Sequence, residues 1–568
     1  MHHRLLQKAG EGCDLRSRIV SADATGYGRV QQMDAPPHPP GSRHRRRTIA
    51  VVIAVVGLYL LPLAGHPPAT NPNELVRIEL ALAISTWATV DLDSPARVYG
   101  LSEDVARSDG RLRADKAPGL SLAAVPVVWL SGSLLPSIPD TDLPRYWPLR
   151  HLLTGVLVAL GTALLCFFVA AKTPDLPTEG WLPLALIAAL GTPLWSYGTV
   201  FFGHAPAAVL IAIAWVVLLQ PGDASGGTRT AFLGGVSAGL AIATEYPTVL
   251  LVAIVFGSLV FRRVPGPQLG SAFAGLAIGL LPALVYHQVA FGAPWLTGYA
   301  FKADPGFQQI HAAGLSGVSL PTIEGLWGVL FSSARGLFFY SPLLLFAPIG
   351  LWLMHRRRGW RDVAPLTAAI IVYIAFAAGF VDWQAGWCAA ARHLVPAIPL
   401  LVMPTMVAIA AMARHRSGLP VLAWVVALSA TRGFLTIVVT PFFPPEFSNP
   451  LGQIVLPSLR DGVVAPTIVS SAVGVPAGVV WVAAAALAAT LLVWGLGRLG
   501  RGFTPWIAVV MALTITGQVA WWVWRSPPPD PQHERYRAQL LVNLGHREAA
   551  ARIDATLRSA PPSARGDR

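Results

Sequence analysis

The sequence predicts an all-α polytopic membrane protein with about 13 transmembrane helices. Composition is the first observation behind this prediction. Of the 568 residues, 54% are hydrophobic and only 12% are charged, whereas soluble domains carry about 25% charged residues. The second observation is that long apolar runs recur from residue 48 to residue 524. Runs of this length are typical of helices that cross a bilayer.

Charge and cysteine content argue against two other classes of protein. The net charge is +13, but the arginines stand in short clusters between apolar runs. This pattern is typical of membrane topology and not of a nucleic-acid-binding patch, so we expect no nucleic acid partner. The three cysteines, Cys13, Cys166 and Cys388, are far apart. They form neither a disulfide framework nor a metal-ligand spacing.

The N-terminal segment, residues 1–47, is predicted to be disordered. It is rich in Arg, Pro, Gly and His and has no apolar period. It also lacks the apolar region of a signal peptide, and Met33 is an alternative start. The basic run 43–47 directly precedes the first apolar helix, 48–64, and should hold the N-terminus in the cytoplasm.

A transmembrane domain is predicted over residues 48–526. Four arginine clusters in this domain fit the cytoplasmic side, and they lie at 262–263, 356–361, 414–416 and 498–501. The extracytoplasmic segments are then 66–118, 291–340, 381–393 and 441–466. The apolar runs after the first helix are 119–135, 148–171, 181–199, 206–219, 230–261, 268–290, 341–354, 363–380, 394–413, 419–440, 467–496 and 503–524.

Two apolar runs have coupled interpretations. If 119–135 crosses the membrane, 230–261 has to be one helix; if 119–135 lies at the outer interface, 230–261 has to be two. One helix over 230–261 would be about 48 Å long, against a hydrocarbon core of about 30 Å, and it would bury Glu245 in the bilayer. A break at TEYP instead puts Glu245 outside and uses Pro247 as a helix start. We therefore favour a broken pair and an interfacial 119–135.

The C-terminal residues 527–568 are predicted to form an extracytoplasmic helical tail. The tail begins near SPPPDPQ, and residues 533–558 then show helical periodicity. The apolar positions of this period are Leu540, Leu541, Leu544, Ala549, Ile553 and Leu557.

The first extracytoplasmic loop, 66–118, holds eight of the 29 acidic residues. A polar, acid-rich loop held by membrane helices is where we expect chemistry. Its stretch NPNELVR places Asn73, Glu74 and Arg77 shortly after the first helix. Glu74 there can deprotonate an acceptor hydroxyl or bind a cation. The alternative is an ordinary Glu–Arg pair on one helix face.

Two further patterns lie later in the same loop. Asp91 and Asp93 alternate, which suits either a divalent cation or turn chemistry. Asp115 and Lys116 stand just before the apolar run that begins GLSLAAVP. Lys116 at the membrane surface can pair with a lipid phosphate. The alternative is a lysine whose stem lies along the interface with its ammonium in water.

Cations also occur at the outer ends of later helices. Arg392 and His393 lie in GWCAAARHLVPAIPL, and Arg335 lies in FSSARGLFFYSP. An arginine can bind a phosphate by two hydrogen bonds. Arginines are usually more frequent on the cytoplasmic side, so an arginine on the outer side is unusual. His204 and Glu245 are expected on the same side, beside the acidic loop. The histidines show no metal-ligand spacing.

The stretches NPNE and ADKAPG resemble motifs of the polyprenyl-phosphate-sugar-dependent membrane glycosyltransferases of the GT-C type. The resemblance is to bacterial relatives of protein O-mannosyltransferases and lipid A aminoarabinose transferases. Those proteins have an Asp-Glu pair after the first transmembrane helix, where this chain has Asn73-Glu74. They then have an acidic residue before a Lys-Pro-Pro or His-Pro-Pro element, where this chain has Asp115-Lys116-Ala117-Pro118. Glu245 stands where related transferases often have a Lys-Gly-Pro element.

The resemblance continues in GLAIATEYP, SSARGLFFYSP and ARHLVPAIPLL, and it covers roughly residues 48–420. It implies a GT-C-like fold and transfer of a sugar, with inversion, from a polyprenyl-phosphate donor to a protein, lipid or glycan acceptor. The catalytic base would be Glu74 or Asp115, and Lys116, Arg392 and Arg335 would hold the phosphate. The other expected substrate-binding residues are Asn73, Arg77, Asp91, Asp93, His204, Glu245 and His393.

The resemblance requires no cofactor, although a divalent cation at Asp91 or Asp93 stays open. It implies an integral protein of a bacterial-type inner (cytoplasmic) membrane, in contact with membrane lipid and with an extracytoplasmic active site. Two other functions are kept as alternatives. A transporter of lipid-linked glycans would show internal repeats, and none is visible. A non-catalytic relative that binds a lipid-linked sugar is the alternative suggested by Asn73 and Glu245.

Overall fold

The computed structural model describes residues 42–63, 71–100, 102–134, 150–172, 180–219, 227–500, 504–525, 530–543 and 546–559. The chain divides into a short N-terminal unit, Met1–Arg47, and a main unit, Thr48–Arg568. Of the first unit only residues 42–47 are described, and they are helical, so the first helix begins before the predicted boundary. The predicted disorder of residues 1–41 lies outside the described residues, as does Met33.

The chain is mostly helical. The elements up to residue 291 are α1 (Ser42–Leu60), α2 (Pro72–Trp87), α3 (Asp93–Tyr99), β1 (Val105–Ser108), β2 (Arg111–Ala114), α4 (Gly119–Leu134), a π-helical turn (Arg150–Val156), α5 (Leu157–Lys172), α6 (Trp181–Gly191), α7 (Leu194–Tyr197), α8 (His204–Leu219), α9 (Thr228–Thr244), α10 (Val249–Phe261) and α11 (Gly266–Phe291). The later helices are α12 (Pro305–Ala312), α13 (Ile323–Leu330), α14 (Leu337–Tyr340), α15 (Ala347–Arg358), α16 (Trp360–Gly379), α17 (Ile398–Met412), α18 (Gly418–Val438), α19 (Leu456–Arg460), α20 (Ile468–Val473), α21 (Ala477–Leu499), α22 (Thr504–Arg525), α23 (Pro531–Asn543) and α24 (Arg547–Ser559).

Seven helical segments within the described residues are long and apolar enough to cross a membrane, and four shorter apolar helices accompany them. The chain is therefore an integral membrane protein with several candidate spans. Seven is fewer than the predicted number of about 13, in part because some apolar runs are interrupted: the run 181–199 ends as a helix at Gly191. The seven segments are Leu152–Ala171, Gly266–Phe291, Trp360–Gly379, Arg392–Met412, Gly418–Val438, Ala477–Leu499 and Pro505–Trp522.

The region predicted as the first extracytoplasmic loop is folded, which corrects the all-α expectation. It contains α2, α3 and an antiparallel hairpin in which Val105 pairs with Ala114 and Ser108 pairs with Arg111. The hairpin turns at Asp109-Gly110, whose φ angles are 50° and 74°. An Asp-Gly pair between two short strands is a strong hairpin signal, because both turn residues need positive φ.

Helix α2 separates two small apolar cores. On one face Leu75, Ile78 and Leu82 pack with residues of α4, including Leu120 and Ala124. The opposite face packs against the hairpin and the end of α11 through Val76, Leu80, Tyr286 and Ala290. Burial on both faces holds α2 in one position, so its polar residues have fixed neighbours.

Helices α9 and α11 meet along a seam of glycines. A Cβ at Gly235 would lie 2.0 Å from the carbonyl oxygen of Ala272, and one at Gly239 would lie 2.3 Å from that of Leu276. The contact is reciprocal, since a Cβ at Gly275 would lie 2.1 Å from the carbonyl oxygen of Phe232. Small residues four apart allow such close packing of membrane helices. Later residues of α9 contact later residues of α11, so the two helices run in the same direction.

The predicted break in the run 230–261 is confirmed. Helix α9 ends at Thr244, Glu245 is extended with φ −153° and ψ 105°, and Tyr246–Thr248 forms a 3₁₀ turn before α10. Because α9 and α11 run in the same direction, α10 between them runs back. The run is therefore two helices, as the position of the glutamate and the proline indicated.

The C-terminal region also differs in one detail from the expectation. The predicted run 467–496 is two helices, α20 and α21, because Gly474 takes a left-handed φ of 74° and ends α20. Within the predicted tail, the described residues form two helices, α23 and α24. Arg537 of the tail pairs with Asp461, and the Tyr536 hydroxyl donates to the carbonyl of Phe442 at 3.2 Å.

Candidate functional site

The first turn of α2 is fixed by its cap. The side-chain oxygen of Asn71 accepts a hydrogen bond from the backbone N–H of Asn73 at 3.0 Å, as is typical of an N-cap. The amide of Asn71 donates to the backbone carbonyl of Trp387 at 3.1 Å. This cap ties the start of α2 to a distant loop, and Glu74 and Arg77 follow it as fully buried side chains.

Arg77 joins three segments. Its Nε donates to Oδ1 of Asn73 at 3.1 Å, and one terminal nitrogen donates to the carbonyl of Ala117 at 2.9 Å. Its other terminal nitrogen lies 3.5 Å from Oε2 of Glu245. Burial raises the pKa of Glu245, although Arg77 and Arg392 act in the opposite direction. The structure thus brings Asn73, Arg77 and Glu245 together between α2, the KAPG stretch and the end of α9.

The segment before α8 contacts Glu74 and Glu245. Oε1 of Glu74 accepts a hydrogen bond from the backbone N–H of Phe201 at 2.6 Å. A Cβ at Gly203 would lie 2.8 Å from Oε2 of Glu245, so a residue without a side chain is needed there. His204 follows, and its Nδ1 lies 3.5 Å from Oε2 of Glu245. Glu74 and Glu245 therefore fix where α8 begins.

Two lysines and two aspartates form a second buried network beside the first. Nζ of Lys116 lies 2.8 Å from Oδ1 of Asp104 and 3.2 Å from Oδ2 of Asp115. Nζ of Lys302 lies 3.3 Å from Oδ1 of Asp104 and also pairs with Asp115. All four residues are buried. Each lysine is thus shared between both carboxylates, and we refer to these four residues as the Lys–Asp network.

Backbone pairing brings Lys302 to this place. Ala106 of β1 and Lys302 form an antiparallel bridge, and the N–H of Ala303 donates to the carbonyl of Val105 at 3.0 Å. The hairpin starts directly after Asp104, so the same pairing sets Asp104 against Lys302. Asp104 and Lys302, which are far apart in sequence, therefore meet because the backbone at Lys302 pairs with β1.

The electrostatics of the Lys–Asp network favour the ionised forms of Asp104 and Lys116. Burial raises the pKa of Asp104, but Lys116 and Lys302 outweigh it and hold that pKa below its ordinary range. Burial lowers the pKa of Lys116, but Asp104 and Asp115 outweigh it and raise that pKa above its ordinary value. The ring of Tyr299 lies 5.9 Å from both ammonium groups, a distance at which cation–π attraction acts.

Arg392, His393 and His204 lie beside the Lys–Asp network with polar atoms left free. Arg392 acts electrostatically on both Asp104 and Glu245, and its guanidinium lies over the ring of Phe202 at 5.7 Å. The rings of His204 and His393 are 6.2 Å apart.

Four buried polar atoms around this point have no hydrogen-bond partner within the described parts of the chain. They are Nε of Arg392, Nε2 of His393, Nδ1 of His204 and Oδ1 of Asp115. Buried polar atoms in folded proteins are normally satisfied by protein, water or ligand. Their clustering indicates a site for a polar ligand.

Sequence reasoning did not include Asp104 and Lys302 among the site residues. A signal for Lys302 was present, because lysine is rare in this chain and two lysines fall in predicted extracytoplasmic segments. The lysines are Lys8, Lys116, Lys172 and Lys302. Asp104 carried no such signal, since it is one of eight acids in its loop.

Arg335 has a different environment from that expected of a phosphate-binding group. It is fully buried, and its guanidinium donates four hydrogen bonds to backbone carbonyls at 2.8–3.0 Å. The carbonyls belong to Gln384, Ala334, Gly386 and Phe443. We therefore leave Arg335 out of the proposed site.

Asp91 and Asp93 also lie apart from the networks described above. Asp91 pairs with hairpin arginines, at 2.7 Å from Arg111 and 3.8 Å from Arg113, and Asp93 begins α3. Among the residues that the structure describes, no group of three or more His, Cys, Asp or Glu side chains could hold a metal ion. The ion pairs of Asp91 attach the segment before α3 to the hairpin.

Comparison with known proteins adds structural similarity at low identity. The sequence matches no protein-family model and no curated protein. The structure is similar to ArnT from Cupriavidus metallidurans bound to undecaprenyl phosphate, with a TM-score of 0.48 and 15% identity over 92% of this chain and 82% of that one. It is also similar to the archaeal oligosaccharyltransferase AglB from Archaeoglobus fulgidus in complex with an inhibitory peptide and a dolichol-phosphate, with a TM-score of 0.36 and 12% identity over 88% of this chain and 59% of that one.

The structural similarity to these two proteins extends over most of this chain. Because both TM-scores are below 0.5, the function of this protein has to be argued from its own residues.

Proposed function

We propose that this protein is a membrane glycosyltransferase that moves a sugar from a polyprenyl-phosphate donor to an acceptor hydroxyl on the extracytoplasmic side. One observation carries the proposal: three cations, Lys116, Lys302 and Arg392, converge on Asp104, beside buried polar atoms that lack partners among the described residues. A phosphate would supply negative charge and hydrogen-bond acceptors to this cluster. The resemblance of NPNE and ADKAPG to this class of transferase supports a lipid-linked sugar phosphate as the donor.

The proposed reaction is a single displacement. The acceptor oxygen attacks the anomeric carbon while the bond from that carbon to the phosphate oxygen breaks. The electron pair of this bond leaves with the polyprenyl phosphate, whose charge Lys116, Lys302 and Arg392 stabilise. The acceptor proton passes to a carboxylate. A single displacement inverts the configuration of the anomeric carbon.

We assign the role of base to Asp115. One of its oxygens binds the two lysines, and the other, Oδ1, is buried without a partner in the described residues. A phosphate that attracts the lysines would weaken their hold on Asp115 and leave its carboxylate available to the acceptor hydroxyl. Glu74, the other candidate base, has its Oε1 bonded to the backbone N–H of Phe201, so we assign it a positioning role at the start of α8.

The test is sugar transfer by protein purified into nanodiscs. The donors are a panel of radiolabelled polyprenyl-phosphate sugars, and the acceptor is total membrane extract. Removal of a general base costs about 10²–10⁴ in rate, so Asp115→Asn should lose transfer by at least roughly 100-fold and still bind polyprenyl phosphate. The matched control is Asp109→Asn, since Asp109 lies exposed in the hairpin turn with φ 50° and asparagine tolerates that backbone.

The outcomes separate the candidate functions. Loss of transfer in Asp115→Asn, with Asp109→Asn unchanged, supports the enzyme and its base. Transfer that neither Asp115→Asn nor Glu74→Gln affects would contradict the proposed site. Binding of polyprenyl phosphate without transfer from any donor would favour a non-catalytic protein that binds lipid-linked sugars.

A further inference from the structure

A second feature outside the Lys–Asp network is a groove of about 620 Å³. Its walls come from three segments, 327–339, 383–384 and 445–448. The lining combines aromatic rings with small polar side chains and one carboxylate, and it contains no cation. The rings are Trp327, Phe331, Phe339 and Trp383, and the polar groups are Ser332, Ser333, Gln384, Glu446 and Ser448.

The aromatic wall is exposed although its backbone is tightly held. Trp327 is 63% exposed and Phe331 is 45% exposed, and their ring centroids are 5.4 Å apart. The other side of α13 is docked closely, because a Cβ at Gly325 would lie 2.1 Å from the carbonyl oxygen of Ala378. These rings therefore form a fixed surface.

The polar wall offers hydrogen-bonding groups that the protein does not use. The hydroxyl of Ser333 donates to the carbonyl of Ser448 at 2.7 Å, which joins two of the segments. The side-chain amide of Gln384 and the carboxylate of Glu446 make no hydrogen bond to any described residue. The backbone of Gln384 is itself fixed, since its carbonyl accepts from Nε of Arg335 at 2.9 Å.

We infer that this groove binds a neutral saccharide and, on the basis of the proposed transferase function, that this saccharide is the acceptor. A sugar ring has an apolar face of C–H groups and an edge of hydroxyls. The faces of aromatic rings attract C–H groups, and amide and carboxylate groups bind hydroxyls. A phosphate would find no cation among the lining residues, and a purely apolar chain would cover Gln384 and Glu446 without replacing their hydrogen bonds to water.

The groove and the Lys–Asp network are connected by one loop. Trp383 and Gln384 line the groove, and the loop that carries them leads to Arg392 and His393, the first residues of a 3₁₀ helix. Asp382, next to Trp383, acts electrostatically on Arg392. This continuity is the reason for assigning the groove to the acceptor, because the donor phosphate is assigned to Lys116, Lys302 and Arg392.

The experiment measures saccharide binding by saturation-transfer-difference NMR on the full chain in nanodiscs. The probes are a panel of neutral disaccharides, first free in solution and then linked to an alkyl chain in the bilayer. The variants are Trp327→Ala and Gln384→Ala. The control is Trp295→Ala, which removes another exposed tryptophan (79% exposed) that lies outside the groove. Loss of one stacking ring should weaken binding roughly three- to tenfold.

Weaker binding in Trp327→Ala and Gln384→Ala, with Trp295→Ala unchanged, supports the inference. Binding of both probe forms identifies the sugar alone as the ligand, and binding of the alkyl-linked form alone identifies a membrane-anchored acceptor. Failure of both forms to bind the wild type, or equal binding by all variants, overturns the inference. So does displacement of the sugar by an unglycosylated peptide.

Polyprenyl-phosphate binding is measured in the same samples. Retained phosphate binding without saccharide binding would overturn the groove assignment and leave the proposed function intact. Lost phosphate binding with retained saccharide binding would contradict the proposed function and leave the groove as a sugar site.

Discussion

Arg335 and Arg392 occur in similar sequence contexts and have opposite surroundings. Each follows a short stretch of small residues and precedes an apolar run. Arg335 donates four hydrogen bonds to backbone carbonyls, whereas Nε of Arg392 is buried and has no partner in the described chain. A buried guanidinium saturated by carbonyls holds the fold together. One left unsaturated beside two lysines is available to an anionic ligand.

The largest expected effect is on stability at Arg335. Arg335→Ala would remove four hydrogen bonds from a buried guanidinium to backbone carbonyls, and hydrogen bonds to charged groups contribute about 1.5–3 kcal/mol each. We expect the free energy of unfolding to fall by more than about 3 kcal/mol. Thermal unfolding in nanodiscs measures this loss. A melting temperature equal to that of Arg392→Ala would show that the two arginines do not differ in this way.

The next effect is on ligand affinity at Arg392. Hydrogen bonds to a charged group contribute about 1.5–3 kcal/mol, so Arg392→Ala should weaken polyprenyl-phosphate binding roughly 10- to 100-fold and leave the melting temperature nearly unchanged. Equilibrium binding of the radiolabelled lipid measures the affinity. The matched control is Arg111→Ala, whose side chain is 61% exposed. Unchanged affinity in Arg392→Ala would remove Arg392 from the phosphate site.

Glu79 is an acidic side chain that, like Arg392, has buried polar atoms without a partner among the described residues. It is fully buried, neither oxygen has a partner among the described residues, and burial raises its pKa to about 8. The folded state therefore favours the protonated acid. The contribution of Glu79 to stability should be greatest below the ordinary glutamate pKa of about 4.3 and should fall as the pH rises from there to about 8.

Glu79→Gln should remove this slope and raise the free energy of unfolding at pH 8 by a few kcal/mol at most. Melting temperatures of both proteins from pH 5 to pH 9 measure the difference. Glu103→Gln, at an exposed acid, serves as the control. Parallel pH profiles for the wild type and Glu79→Gln would mean that Glu79 is not protonated in the folded protein.

The smallest effect is expected at Asp91. Its partner Arg111 is largely exposed, and exposed ion pairs contribute about 0–1 kcal/mol. Asp91→Asn should therefore lower stability by less than about 1 kcal/mol and leave sugar transfer unchanged. The transfer assay decides between this result and the sequence-based expectation, under which Asp91 binds substrate or a cation. A tenfold loss of transfer would restore Asp91 to the site.

A local signal predicted one structural feature well, since the break at TEYP followed from a glutamate and a proline in an apolar run. The stretch ADKAPG predicted Asp115 and Lys116 as site residues, and the structure shows that these two side chains pair with each other. The Asp109-Gly110 pair carries an equally clear local signal for a hairpin. These features depend on a few adjacent residues and on the difference between water and hydrocarbon.

Other features depend on contacts that no local pattern contains. Lys302 reaches Asp104 and Asp115 only because its backbone pairs with β1. Arg335 and Arg392 could not be separated in sequence, since the difference lies in which backbone carbonyls surround each one. Charged side chains can be identified in a sequence, but the backbone carbonyls that accept their hydrogen bonds are brought together only by folding.

The glycine seam between α9 and α11 fixes the position of one helix along the other. With backbone against backbone at Gly235 and Gly275, the two helices cannot slide past each other in small steps; the next equivalent register is a full turn, about 5.4 Å, away. Glu245 follows the end of one helix, and the stretch that carries Lys302 follows the end of the other. A single-residue deletion in α9 between Gly239 and Thr244 would therefore shift Glu245, the partner of Arg77, without moving Lys302. The Arg77–Glu245 pair and the Lys–Asp network would then be misaligned, although each helix stayed intact.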